Sequence, residues 1–191
     1  MKPLRWLGGA VIAACLSMST AFAAEQTVTI HHFLSPKSNA HTKMIQGWAD
    51  RVAQQSNGQL KFEIAPAMSM GGKPAELYSQ VRDGTVDIIW TVLGYNPGVF
   101  PRTEVFELPT VHKGSATATT IALNASMDVL ADDFKDVKVI FLHANDGNVL
   151  HSAGKPVRTF DDAKGLKLRT QGNRLNTWLQ KMHKGGFARK D

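Results

Sequence analysis

Apolar positions recur along this chain in two periods that take turns. TVTIHHF (27–33) alternates at a spacing of two and is rich in β-branched residues, which predicts a strand. SPKSNAH follows as a loop, with Ser38 or Asn39 placed to cap a helix. From His41 to Gln55, Met44, Ile45, Trp48, Val52 and Ala53 recur at helical spacing, and Asn57-Gly58 ends the run. LKFEIA (60–65) predicts a second strand. Gly71-Gly72-Lys73-Pro74 leads into a helix carrying Leu77, Tyr78 and Val81, with Pro74 suited to its first turn and Asp83-Gly84 as its breaker. VDIIWTV (86–92) is almost continuously apolar, as a strand covered on both faces should be.

After a loop rich in proline and aromatic residues, the pattern predicts a helix over roughly 116–131. VKVIFLH (137–143) reads as a fourth strand and NVLHSA (148–153) as another. Pro156 and FDDAKG then lead to a closing strand, Leu166 to Thr170, a Gln171-Gly172 turn, an apolar-patterned helix and a basic tail. Strands alternating with helices predict an α/β fold around a parallel sheet covered on both faces. Right-handed crossovers put the loops after the first three strands along one edge. Ligands of such sheets bind outside the carboxyl ends of the strands. The candidate site-formers are therefore Phe33 to Lys37, Met68 to Lys73 and Thr91 to Asn96.

Charge changes the picture at both ends. The 191 residues are 43% hydrophobic and 20% charged, enough for a sizeable core, with a net charge of +6. Two of those cations, Lys2 and Arg5, precede an apolar stretch from Trp6 to Leu16 and an Ala21-Phe22-Ala23 cleavage site, the anatomy of a signal peptide. That stretch is too short to span a bilayer. Residues 1–23 are thus expected to direct export, with cleavage after Ala23 and a periplasmic destination. Cys15 is the single cysteine and reads as a small apolar residue within the signal, although IAAC loosely resembles an acylation box. Four more cations lie in the last eleven residues, so the basic balance is terminal and no Lys/Arg stripe interleaved with aromatics predicts nucleic-acid binding.

Candidate chemistry is sparse. His31 and His32 are neighbours on a strand and point to opposite faces, and no further ligand stands at metal spacing, so no metal and no cofactor are expected. Gly71-Gly72-Lys73 opens a helix where an anion is favoured, but the rest of a phosphate loop is missing. Asp132-Asp133 and Asp161-Asp162 read as solvated loop carboxylates. No hydrolase, metallopeptidase or redox motif is present, so no catalytic residue is predicted. Arg169 differs: it ends an apolar strand before a glycine turn, where a planar guanidinium can grip a carboxylate with two parallel hydrogen bonds.

Together HHFLSP, NGQLKFEI, AMSMGGKPAELYSQVRDGTVDIIW, FPRTEVFELP and KPVRTFDDAKGLKLRT carry a family resemblance. The chain resembles the solute-binding proteins of tripartite ATP-independent periplasmic (TRAP) transporters, of the dicarboxylate-binding (DctP) type, from about Val28 to Lys181. The third block is similar to the family's G-G…Q-V-R-x-G-x-x-D stretch and the last to its D-x-K-G-L-K-I-R. The resemblance implies a type II periplasmic-binding-protein fold, two α/β lobes that close on an organic acid. The ligand then passes to a membrane permease driven by an ion gradient. The motif arginine falls on Arg169, and Trp90, Tyr95, Phe33 and Lys73 fall where cleft-lining residues stand. Asn148, with Val149, occupies the region where members often place a second arginine, so a simple carboxylate is expected rather than a sialic-acid-type ligand.

Family members continue after this arginine with a Gly-Ala-x-Pro strand and a return into the first lobe, whereas this chain reads KGGFARKD. The resemblance therefore implies a first lobe at 24–143, a second lobe only begun at 144–181, and a divergent tail at 182–191. Roughly the first three-fifths of the family pattern is covered. An incomplete, binding-impaired form is expected. The alternatives are an exported enzyme or a signalling module on the same scaffold.

Overall fold

The computed structural model describes residues 24–108, 111 and 114–146, together with 149, 151–154, 156–159, 161–163 and 166. The expected signal peptide, the closing strand and helix, the tail, Asn148 and Arg169 lie outside the described residues.

Three strands form one parallel sheet in the order β2-β1-β3: β1 is Gln26–His32, β2 is Leu60–Ala65 and β3 is Ile88–Trp90. Crossovers through helices satisfy the parallel pairing. The first helix begins as a π-wound run, Ala40–Ile45, and continues as α1, Gln46–Gln55. The second, α2 at Leu77–Arg82, follows a 3-10 turn at Pro74–Glu76 with proline in its first position. Ile30 and His31 stand opposite Ile64 and Ala65 on one side and Ile88 and Ile89 on the other. The carboxyl ends His32, Ala65 and Trp90 share one edge, as the alternation of the pattern requires.

Both faces of the sheet are covered. On one, Ile30, Ile45 and Ala49 form a cluster joined by Trp48, Phe62, Ile64, Ile88 and Trp90. On the other, Tyr78, Phe100, Leu123, Leu130 and Phe134 are buried together, with Ile89 packed against them. Phe100 meets Tyr78 edge-on at 4.9 Å and Phe134 at 5.4 Å. The helix predicted near 116–131 is present as α3, Ala116–Ala125, and α4, Met127–Leu130, interrupted at Ser126.

Three strand expectations are corrected. The third strand is predicted over 86–92, but pairing is confined to Ile88–Trp90. Upstream, the Asp87 carboxylate accepts the Thr29 N–H at 2.8 Å, in place of a further ladder bond. The segment 137–143 forms no strand among the described residues, where it has no ladder partner. Its alternation holds only as far as Ile140: Val137 and Val139 pack on the core and Ile140 is exposed, but Phe141 is exposed in its turn and Leu142 packs, a shift of phase. Its backbone is instead tied by side chains of α3, Asn124 Nδ2–H donating to Leu142 O and the Ala144 N–H donating to Thr120 Oγ1. The described residues between 149 and 154 form no strand either.

Candidate functional site

The site grows from the loops at the carboxyl edge of the sheet. After β1 the chain turns at Phe33, and the carbonyls of His32 and Leu34 accept from Met68 and Ala67 N–H groups at 3.1 and 2.9 Å. Ala67 and Met68 both hold positive φ, 53° and 57°, a local strain that fixes the β2 loop against the β1 loop. Gly72 needs its positive φ of 85°, and a Cβ there would stand 2.8 Å from Gln80 Nε2 and 2.9 Å from Glu76 Oε2. After β3, a 3-10 turn at Leu93–Tyr95 is anchored by Asn96 Nδ2–H donating to Ala75 O at 2.7 Å.

These loops bring three of the predicted residues together. The Phe33 ring lies 5.3 Å from Trp90 and 5.4 Å from Tyr95, both tilted, the geometry aromatic quadrupoles favour. All three line a cleft of about 560 Å³ that opens between the β3 side of the sheet and the extended 137–146 segment. Lys73 is not brought to them: it is exposed, its N–H donating to Glu76 Oε2 at the start of the α2 turn, and it does not line the cleft. Arg169 and Asn148 lie outside the described residues.

The sequence reading did not single out His143. His143 stacks on Trp90 at 5.8 Å and 27°, and Trp90 Nε1–H donates to His143 Nε2 at 2.9 Å. Burial holds the His143 imidazole below its usual pKa, which keeps Nε2 available as an acceptor. Nothing in the run VKVIFLH marks its last residue as a partner for a tryptophan some fifty residues earlier. Thr91, within a loop that was singled out, turns Oγ1 into a buried position with no partner in the cleft wall.

The electrostatics of the described wall are unbalanced. Lys138 is the one Lys or Arg among the described lining residues, against the carboxylates of Asp87, Glu107 and Asp146. The described lining is thus mostly apolar and aromatic, with its charged groups predominantly acidic. Among the described residues no cluster of His, Cys, Asp or Glu could hold a metal, and His31 and His32 face opposite sides: His31 Nδ1 bonds Gln80 Oε1 at 2.7 Å, His32 bonds His41.

Known proteins share this fold. An aromatic-acid-specific TRAP solute-binding protein from a marine metagenome, crystallised with 3-hydroxybenzoate, is 40% identical and superposes with a TM-score of 0.78 over 82% of this chain and 49% of its own. A TRAP solute-binding protein from Rhodoferax ferrireducens, solved with copurified benzoate, is 42% identical, with a TM-score of 0.78 over 83% of this chain and 49% of its own. The 2,3-diketo-L-gulonate-binding periplasmic protein of Escherichia coli is 26% identical over 167 residues, 86% of this chain and 50% of the relative. The chain thus spans about half the length of the curated relatives it matches. The sequence profile of the bacterial extracellular solute-binding proteins, family 7, matches residues 30–187, most of the chain, and the chain belongs to this DctP family.

Proposed function

We propose that this chain supplies the ligand-cradling sheet of a periplasmic TRAP solute-binding protein whose solute is a small aromatic monocarboxylate. The observation that carries the reading is the Phe33–Trp90–Tyr95 cluster at the carboxyl edge of the sheet. Ring-on-ring contacts of this kind are worth about 0.5–1.5 kcal/mol each beyond their burial, and favour a flat apolar body over a C4 dicarboxylate. Relatives of about two-fifths identity bind benzoate and 3-hydroxybenzoate, in support of the same chemistry.

In this reading Arg169 grips the carboxylate, since a guanidinium offers two parallel hydrogen bonds and the one described lining cation, Lys138, is outnumbered by Asp87, Glu107 and Asp146. Asn148 stands as a secondary polar contact, whereas Lys73, exposed and away from the cleft lining, is left out of it. Residues 24–143 form the first lobe and 144–181 begin the second, with 182–191 a divergent tail. Residues 1–23 direct export and are removed after Ala23, so mass spectrometry of the periplasmic protein should find Ala24 at the N-terminus. The partner is the membrane permease of the transporter, met transiently. The chain acts by binding and not by catalysis.

Calorimetry on this chain extended by the second half of the Rhodoferax relative tests the solute. Benzoate and 3-hydroxybenzoate should bind and succinate should not. Arg169→Gln should weaken binding by about a hundredfold, the loss of a two-bond charged grip. Equal affinity for succinate, or an unchanged affinity in the arginine variant, would overturn the assignment.

A further inference from the structure

His32, one of the two adjacent histidines of β1, is bound into a chain of hydrogen bonds with Leu34 and His41 beside the cleft. His32 is fully buried. Its Nδ1 faces the Leu34 N–H at 3.1 Å, and a backbone N–H can only donate, so Nδ1 is a bare acceptor. A neutral imidazole with a bare Nδ1 carries its proton on Nε2. That proton points at His41 Nδ1, 2.9 Å away, which must therefore be bare as well, leaving the His41 proton on Nε2. The tautomers of both rings follow from one backbone amide. The rings also touch, with centroids 5.1 Å apart.

This chain of bonds has no place for an extra proton. If His41 gains a proton at Nδ1, two N–H groups confront each other across the 2.9 Å gap. If His32 then shifts its own proton to Nδ1 to receive it, that proton meets the Leu34 N–H. Either way one of the two bonds is lost, and Leu34 is the residue after Phe33. The titratable groups that act on His32 are His41, across the gap from the helix start, and His31, on the opposite face of β1, and both disfavour a charge on it. Lys37 of the adjoining loop and Lys43 of the π-wound run are exposed and positive. From β3 the pairing neighbour is Trp90, and from the β2 loop it is the Met68 N–H on the His32 carbonyl, neither of which neutralises an imidazolium.

We propose that His32 and His41 are positioning residues, a single donor–acceptor couple that holds Phe33 against Trp90 at the cleft mouth and releases it when the couple takes up one proton. The effect on ligand rests on the solute-binding reading above, while the couple itself is independent of it. Acidification then loosens the aromatic wall through the β1 loop, without titrating any group that contacts the solute.

Imidazole nitrogen NMR of the 15N-labelled 191-residue chain reads the couple directly. Above neutral pH, both rings should show the Nε2–H tautomer, with a coupling across the bond from His32 Nε2 to His41 Nδ1. On acidification, that coupling and the Phe33–Trp90 ring cross-peaks should vanish together. His41→Gln offers an amide oxygen to the same donor and keeps the cross-peaks through the range where the native pair loses them. His41→Ala lacks them at every pH. A His32 proton on Nδ1, cross-peaks that outlast the coupling, or a glutamine variant that behaves as the alanine one would each refute the couple. In the extended protein, His41→Ala should weaken benzoate binding up to about tenfold, one ring contact, and His41→Gln should restore it. Failure of the parent extended protein to bind benzoate would sink the solute reading and leave the NMR result standing.

Discussion

A carboxylate inside a protein has to be matched oxygen by oxygen, and Asp133 shows how. It was read from the sequence as a solvated loop residue, yet it is 7% exposed. Its Oδ2 accepts from the N–H groups of Arg102 and Thr103 at 3.0 and 2.8 Å and from Thr103 Oγ1–H at 2.9 Å. Asp133→Ala strands three donors and should lower stability by about 3 kcal/mol, seen as a lower urea midpoint at unchanged slope. Asp133→Asn keeps an oxygen and should lose less. His32 sets a pH dependence. Burial first, then His41 and His31, press its pKa down to about 4 from 6.5. A group lowered on folding disfavours the native state once protonated, so its effect is absent above about 6.5. Stability should therefore be flat above that pH and fall as pH drops from 6.5 towards 4. His32→Asn, which cannot titrate, should flatten the fall. Phe33, Trp90 and Tyr95 were singled out through the family resemblance, and the structure brings their rings together at the strand ends. His143 was not singled out, since only folding carries it to Trp90.

At the scale of elements, the first half of the chain follows its pattern closely. β1, α1, β2 and α2 lie where periodicity and breakers place them. Ser115 caps α3 through a hydrogen bond from the Ala118 N–H to its Oγ, at an extended φ of −126°. Ser115→Ala should remove about 1 kcal/mol of stability, measurable as a fall in Tm, whereas Ser115→Asp should not. The 137–143 segment shows the limit of the method. Period-two alternation reports which side chains face a core, and an extended segment lying on a core alternates as a strand does. Strand pairing also needs a neighbouring edge in register, and here the α3 side chains of Thr120 and Asn124 meet the backbone instead.

Across the whole molecule, coverage of the apolar surface is uneven. Ile121, Val129, Ile140, Phe141 and Val149 are all exposed by more than two-fifths. Exposed apolar side chains add to a chain's tendency to associate. The 191-residue chain should therefore self-associate as concentration rises, read by light scattering, and the extended chain less so. Binding belongs to the same scale. A micromolar site holds about −8.2 kcal/mol, and two-lobed proteins draw it from both sides of the cleft. The short chain should show no thermal shift with benzoate or with C4 dicarboxylates, while the extended chain does with benzoate.

Sequence alone determined the order of the first elements, the parallel sheet and the edge where its loops gather, because these follow from local periodicity and from the handedness of short crossovers. It also determined the family, through motifs that lie close together along the chain. Only the tertiary structure decided that Asp133 is buried, that the fourth apolar run has no ladder partner among the described residues, and that His143 meets Trp90 while His32 meets His41. Those outcomes depend on which distant groups share a few ångströms of space, and hydrogen-bond donors find their acceptors by distance and direction, which spacing along a chain does not encode.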